Sequence, residues 1–312
     1  MRSLSGKKIL IGPSSFAATD SAPMDRLRES GCEIMGNPFK RKLTKPELID
    51  LLGHGVSGLI AGLEPLDREV LEASGLEVIS RCGAGLSNID LTAARGLGIA
   101  VCFTPDAPTK AVAELTVGAL LGMLRMIPQM NRDLHDGRWI KRIGTQLEKK
   151  TVVIIGFGRI GRYTAKLLAP FGVKLLIVDP YFDKTAKGVK VVSLEEAIPP
   201  ADVIIIHASG ENCILRKKEF TLMKKGIFLL NAARGNAVDE DALVDALEKK
   251  TVKGAWIDVF KNEPYNGELR KYPQAILTPH EGSYTGECRR QMEIQAVDNL
   301  IRAFEENKKN EY

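Results

Sequence analysis

Short, uninterrupted apolar runs alternate with stretches of helical period along this chain. KKILIG precedes a helical segment at 24–30, SGLIAG precedes one at 67–73, LEVISRCG precedes one at 90–95, and IAVCF closes the series. Alternating β and α units predict a mostly parallel sheet covered by helices. Between Thr104 and Ile127 the pattern predicts one helix long enough to bridge two domains. Pro105 and Pro108 lie near its start, where a missing amide donor is tolerated. After the polar stretch KRIGTQLEKK a second series opens with TVVIIG and continues through KLLIVD, DVIIIHA, IFLLNA, GAWIDV and AILTPH. These runs lack polar alternation, as expected of strands buried on both faces of a parallel sheet. The architecture is therefore α/β, doubly wound twice, with no repeat of solenoid length. The tail RAFEENKKNEY reads as the fraying end of a last helix.

A length of 312 residues agrees with two domains at roughly 150 residues each. With 44% hydrophobic and 27% charged residues, the composition is that of a soluble globular protein. The net charge of +5 comes from interspersed residues, which suits an anionic substrate and argues against nucleic acid as a partner. The longest apolar candidate, 115–124, falls short of the about 20 residues that a membrane span needs, and the N-terminus shows no export signal. Cys32, Cys82, Cys102, Cys213 and Cys288 are odd in number and far apart, without a Cys-x-x-Cys pair. Free thiols in a reducing cytoplasm and no metal site are the expectation.

TVVIIG runs directly into Gly156-Phe157-Gly158-Arg159-Ile160-Gly161, then into a helical segment and the strand KLLIVD, which ends at Asp179. A bare GxGxxG is a weak signal, but the strand, turn, helix and strand in order make it a dinucleotide fingerprint. Gly156 would make the tight turn, Gly158 would let the backbone approach a pyrophosphate, and Gly161 would let the helix pack on the strand. The helix N-terminus then offers free amides to the phosphates. Asp179 follows Gly161 by 18 residues, where an acid binds the ribose diol and repels a 2′-phosphate. NAD is thus preferred over NADP. A structural turn with a surface aspartate is the alternative.

Of the four histidines, His54 and His135 read as surface residues, whereas His207 and His280 end strands. Carboxyl ends of parallel strands are where open α/β sheets bind ligands. Arg234 follows IFLLNAA at another such end, and its guanidinium suits a carboxylate bidentately. Glu263 lies just beyond GAWIDV; if it reaches His280, it favours the imidazolium and makes a better acid near neutral pH. Each has a bland alternative as a packed or surface charge. Their arrival at successive strand ends of one unit favours the functional reading.

The segments SRCGAGLSNIDLTAA, FTPDAPTKAVAELTVG, KTVVIIGFGRIGR, LLNAARGNAVDEDALVDAL, GAWIDVFKNEP and ILTPHEGSYT together resemble the D-isomer-specific 2-hydroxyacid dehydrogenases, nearest to short phosphoglycerate-dehydrogenase-like members. The resemblance implies a flavodoxin-like substrate domain, 1–103 and 284–312, into which an NAD-binding Rossmann domain, 104–283, is inserted. It implies that Arg234 holds the substrate carboxylate and carbonyl, that His280 is the acid/base, and that Glu263 tunes it. Ala84 and Gly85 would give amides to the substrate carboxylate, beside Arg234 and His280. Gly156, Gly158, Arg159, Ile160, Gly161 and Asp179 would bind the cofactor. His207, Ala208, Ala232, Asp258 and Gly282 would line its nicotinamide side, with Asp258 accepting from the carboxamide. The long helix and the segment through Trp139 resemble the family's dimer contact, so a homodimer is implied.

Four departures bear on the substrate and the cofactor. His207-Ala208-Ser209-Gly210-Glu211-Asn212 replaces a His-x-Pro loop, Ser283 follows Gly282 where a second glycine is common, and Ser87 stands where Asp is usual. Gly62, with Glu64 close by, stands about where many phosphoglycerate dehydrogenases carry an arginine for the phosphate, leaving less positive charge. Arg81 either compensates or is a structural strand-end cation. The expected activity is reversible hydride transfer on a small 2-hydroxy acid, 3-phosphoglycerate-like, with glyoxylate or hydroxypyruvate reduction as the alternative. From another class comes an NAD-sensing binding protein of the corepressor type. With few residues after the last helix, feedback through the added regulatory domain of longer phosphoglycerate dehydrogenases is not expected.

Overall fold

The computed structural model describes residues 4–182 and 189–310, the side chains of 307–310 excepted. The last two residues of the segment expected to fray, and the first three of the N-terminus, lie outside the described residues. The chain divides into two compact units, Met1–Pro108 with Ser283–Tyr312, and Thr109–Gly282.

In the first unit, β1 (Lys8–Ile11), β2 (Glu33–Gly36), β3 (Gly58–Ala61), β4 (Val78–Arg81) and β5 (Ala100–Phe103) form a parallel sheet in the order β2-β1-β3-β4-β5. Successive side chains alternate between its faces. Leu10, Leu59 and Ile79 pack with Leu48, Leu52 and Val70 on one side. Ile9, Ile60 and Val78 pack on the other side with Met292, Ala296, Leu300 and Phe304 of the final helix, Gly286–Asn310. That helix is fastened by polar contacts as well. Ser80 Oγ donates to the Ala296 carbonyl at 2.7 Å, and buried Glu293 accepts from Arg289 at 2.5 Å and from the Ala17 amide at 2.9 Å.

In the second unit, β6 (Thr151–Ile155), β7 (Lys174–Val178), β8 (Lys190–Val191), β9 (Val203–Ile206), β10 (Ile227–Asn231), β11 (Val252–Ile257) and β12 (Ala275–Leu277) are parallel throughout. Their order is β12-β11-β10-β9-β6-β7-β8, a doubly wound sheet whose direction of growth reverses between β6 and β9. Val153, Ile155, Ile204 and Leu229 face one apolar layer, and Ile154, Ile205, Leu230 and Trp256 face the other. Both faces are thus covered, as the unbroken apolar runs require.

The pattern between Thr104 and Ile127 resolves differently from the single helix expected. A helix covers Pro108–Leu124, the chain turns at Met126 with φ +53°, and a second helix, Ile127–His135, continues at 63°. Pro128 explains the break: it has no amide to donate to the Leu124 carbonyl four residues back, so the first helix cannot run through it, and it is at home in a first helical turn. Two strands escaped the hydrophobic pattern, β2 and β8, each at an edge of its sheet. Among the described residues no single helix is long and apolar enough to cross a membrane. All five cysteines are free thiols.

Candidate active site

β6 and β9 pair with Ile155 opposite Ile206, so the chain leaves both strands side by side. Gly156 then turns with φ +93°, and a Cβ there would lie 2.4 Å from the Ala208 amide nitrogen. A Cβ on Gly161 would lie 2.1 Å from the Gly156 carbonyl oxygen, so only glycine lets the helix Arg159–Leu168 start this close to the turn. Gly158, exposed at the N-cap of that helix, has open space where a Cβ would be. Arg159 is exposed and Ile160 half-buried on the first turn. Asp179, just past β7, accepts the Phe157 amide at 2.7 Å through one oxygen and the Tyr181 amide at 2.9 Å through the other. The acid is therefore wired to the glycine loop. The turn, the open approach and the free helix end form a cradle that fits a dinucleotide.

His207 completes this edge. Its Nε2 lies 3.1 Å from the hydroxyl of buried Thr164, and its Nδ1 is buried with no hydrogen-bond partner among the described residues. Burial pushes the imidazole down to about 4, so it is neutral at physiological pH. An orphaned polar atom at the mouth of the cradle marks a place for a ligand group.

The three expected reacting residues stand after three adjacent strands, since β10 pairs β11 at Asn231–Ile257 and β11 pairs β12 at Ile257–Leu277. Asn231, 1% exposed, shapes the turn after β10: its Oδ1 accepts the Ala233 amide and its Nδ2 donates to the Arg234 carbonyl at 2.9 Å. Arg234 is half-buried, donates from Nη1 to the Ala233 carbonyl at 2.7 Å, and lies 3.8 Å from Glu211. Ala232 is half-buried behind it. The next residue, Gly235, touches the loop after β11; a Cβ there would meet the Phe260 carbonyl carbon at 2.0 Å. This contact draws the Arg234 turn against the loop that carries Glu263.

Glu263 Oε1 accepts the Phe260 amide at 3.0 Å, which leaves Oε2 to meet His280 Nδ1 at 2.9 Å. His280 has φ +57°, a left-handed backbone that non-glycine residues adopt at a cost and that clusters at functional sites. Asp258 holds that backbone in place. Its Oδ1 accepts from the Thr278 hydroxyl at 2.6 Å and the Glu281 amide at 2.9 Å, and its Oδ2 accepts the Gly282 amide at 2.9 Å. Trp256 Nε1 donates to Thr278 at 3.0 Å, extending the network into the core. Asp258 thus also positions the His280 loop, a task not expected of it. Asn231, Thr278, Gly235 and Thr164 were missed as well; only the polar residues inside apolar runs, Asn231 and Asp258, carried a signal in the sequence.

In the first unit, Ala84 and Gly85 follow β4, and their amides have no intrachain acceptor among the described residues. Gly83 before them is pinned by Thr104 Oγ1 at 2.8 Å. Arg81 is buried, its Nη1 donating to the Cys82 carbonyl. His54 and His135 are exposed, as expected of surface residues. A cavity of about 310 Å³ opens in the second unit against Phe228, Lys253 and Gly254, at the amino ends of β10 and β11, away from these groups.

Residues 117–282 match the family model described as D-isomer specific 2-hydroxyacid dehydrogenase, NAD binding domain. The chain is 35% identical over 306 residues to a pig (Sus scrofa) protein named D-3-phosphoglycerate dehydrogenase, covering 94% of this chain and 56% of that one. It is 33% identical over 293 residues to a Thermotoga maritima protein named hydroxypyruvate reductase, covering 89% and 96%. A crystal structure of a Thermus thermophilus protein superposes with a TM-score of 0.87 at 34% identity, covering 96% of this chain and 97% of that one. The chain thus spans little more than half of the pig relative and nearly all of the bacterial ones.

Proposed function

Because the chain belongs to the D-isomer specific 2-hydroxyacid dehydrogenase family, we propose that it is an NAD-dependent oxidoreductase that interconverts a small 2-hydroxy acid and its 2-oxo acid. The observation that carries this reading is the Glu263–His280 contact at 2.9 Å, made two strands from Arg234. When bound, NAD(H) supplies or takes up the hydride at C2 of the substrate. Gly156, Gly158, Arg159, Ile160, Gly161 and Asp179 would hold it, with His207, Ala208, Ala232, Asp258 and Gly282 around the nicotinamide.

With Nδ1 turned to Glu263, His280 keeps Nε2 for the reacting oxygen. In the reductive direction it donates a proton to the carbonyl oxygen, and in the oxidative direction it removes the hydroxyl proton. Arg234 grips the carboxylate and polarises the neighbouring carbonyl. The relatives' names cover a phosphorylated acid and an unphosphorylated one. Five free thiols suit the reducing cytoplasm. Trp139 and Ile143, 81% and 93% exposed, support a homodimer formed through this arm.

The test is to follow NADH absorbance with a panel of 2-oxo acids beside His280→Ala. Turnover that disappears in the variant is expected. NADH binding without turnover of any acid would replace the enzyme reading with a sensing one.

A further inference from the structure

Two carboxylates have no part in hydride transfer: Glu211, beside Arg234 in the second unit, and Glu64, in the first. In the second unit Glu211 follows Gly210, which turns the chain just past β9 with φ +104°. Its Oε1 lies 3.8 Å from Arg234 Nε, and its Oε2 accepts from Asn236 Nδ2 at 3.2 Å. The guanidinium meant for a substrate carboxylate already has a negative neighbour, and one of its nitrogens is turned back on Ala233. One positive charge shared between an internal carboxylate and a substrate carboxylate has little left for a second anionic group.

The first unit shows the same tendency by a different construction. β1 lies between β2 and β3, so the order of growth reverses between β1 and β3, and crevices at such reversals are where open α/β sheets hold ligands. Here the protein fills the place itself. Glu64 is 1% exposed, and its Oε1 takes the Gly62 amide at 2.7 Å. A Cβ on Gly12 would lie 2.1 Å from that oxygen, and one on Gly62 would lie 2.8 Å from Oε2. The two glycines therefore make room for a carboxylate, and the loop amide an anion would use is occupied. Burial pushes the Glu64 carboxyl up, and buried Arg81 and exposed Lys42 act on it more weakly in the other direction.

We infer that this enzyme selects small acids with a single anionic group, hydroxypyruvate-like rather than phosphorylated, and that Glu211 beside Arg234 is a specificity-determining residue. The inference rests on the dehydrogenase reading above. A phosphorylated acid would bring further negative charge toward Glu211, and like charges a few ångströms apart near a surface weaken binding by about tenfold or more. Because the effect is electrostatic, salt must weaken it.

The experiment measures kcat/KM of the full chain with NADH for hydroxypyruvate and for 3-phosphohydroxypyruvate, at low and high ionic strength, in the wild type and Glu211→Gln. The wild type is expected to prefer hydroxypyruvate by about tenfold or more, and the variant to lose most of that preference through the KM of the phosphorylated acid. Added salt narrows the preference only where Glu211 is present. A wild type that prefers the phosphorylated acid, or a preference unchanged in Glu211→Gln, overturns this inference while the dehydrogenase reading stands. Absence of turnover with every 2-oxo acid tested overturns both.

Discussion

Glu263 Oε2 lies 2.9 Å from His280 Nδ1, while the other oxygen of the same carboxylate is held by the Phe260 amide at 3.0 Å. One side chain therefore fixes both the orientation of the imidazole and the loop it comes from. Glu263→Gln keeps the shape and removes the charge. Its kcat is expected to fall about 100-fold with substrate KM little changed, since positioned acid–base groups contribute about that much. Steady-state kinetics check this, and an unchanged kcat would remove Glu263 from the mechanism.

Gly235→Ala introduces a Cβ 2.0 Å from the Phe260 carbonyl carbon, where backbone and not a flexible side chain must yield. Overpacking of this kind costs about 1–3 kcal/mol or more. A lower denaturant midpoint and a disproportionate loss of kcat are expected, because the Arg234 turn and the Glu263 loop are pushed apart.

Asp179 has two tasks that substitutions can separate. Asp179→Asn keeps an acceptor for the Phe157 amide but loses the charge, whereas Asp179→Ala loses both. Titrations of nicotinamide fluorescence are expected to show NADH binding weakened about tenfold in the alanine variant, roughly 1.4 kcal/mol. The asparagine variant is expected to gain in relative affinity for NADPH, since a 2′-phosphate no longer meets a carboxylate.

His207 predicts a pH dependence of stability. Burial holds its imidazole at about 4 against an ordinary 6.5, so between these values the unfolded chain binds a proton that the folded chain refuses. Stability is therefore full above pH 6.5 and falls as pH drops toward 4, by up to about 3 kcal/mol at 1.36 kcal/mol per unit. Buried Glu64 and Glu293, pushed up by desolvation, act with the opposite sign. Denaturant unfolding of the wild type and His207→Gln across this window isolates the histidine: the slope difference between them is the expected result.

The arm after the helix bend is held from below by Asp133, which pairs with Arg138 at 2.9 Å and Arg142 at 2.6 Å and leaves Trp139 and Ile143 facing outward. Trp139→Ser combined with Ile143→Ser is expected to give monomers by light scattering. A mass unchanged from the wild type would place the subunit contact elsewhere.

Much of this was legible in the chain because buried parallel strands write themselves as unbroken apolar runs. TVVIIG, DVIIIHA and IFLLNA became β6, β9 and β10, with Gly156, His207 and the Arg234 turn just after them. β2 was invisible for the converse reason: Glu33–Gly36 is an edge strand with exposed ends, so its composition carries no period. The helix break at Met126 was hidden because apolar spacing continues through it, while Pro128, the residue that decides, acts on backbone rather than on burial. The further work of Asp258 on Thr278, Glu281 and Gly282 depends on a loop whose path no spacing records.

The final helix has one further consequence. Met292, Ala296, Leu300 and Phe304 cover a face of the sheet that is built from Ile9, Ile60 and Val78, more than two hundred residues earlier in the chain. During synthesis the first five strands leave the ribosome with that face bare, and it stays bare until the whole second unit has been made. Vectorial folding from the N-terminus is thus closed to this architecture: the unit begun first is completed last, and the nascent chain exposes apolar strand surface to chaperones and to neighbouring chains throughout the interval.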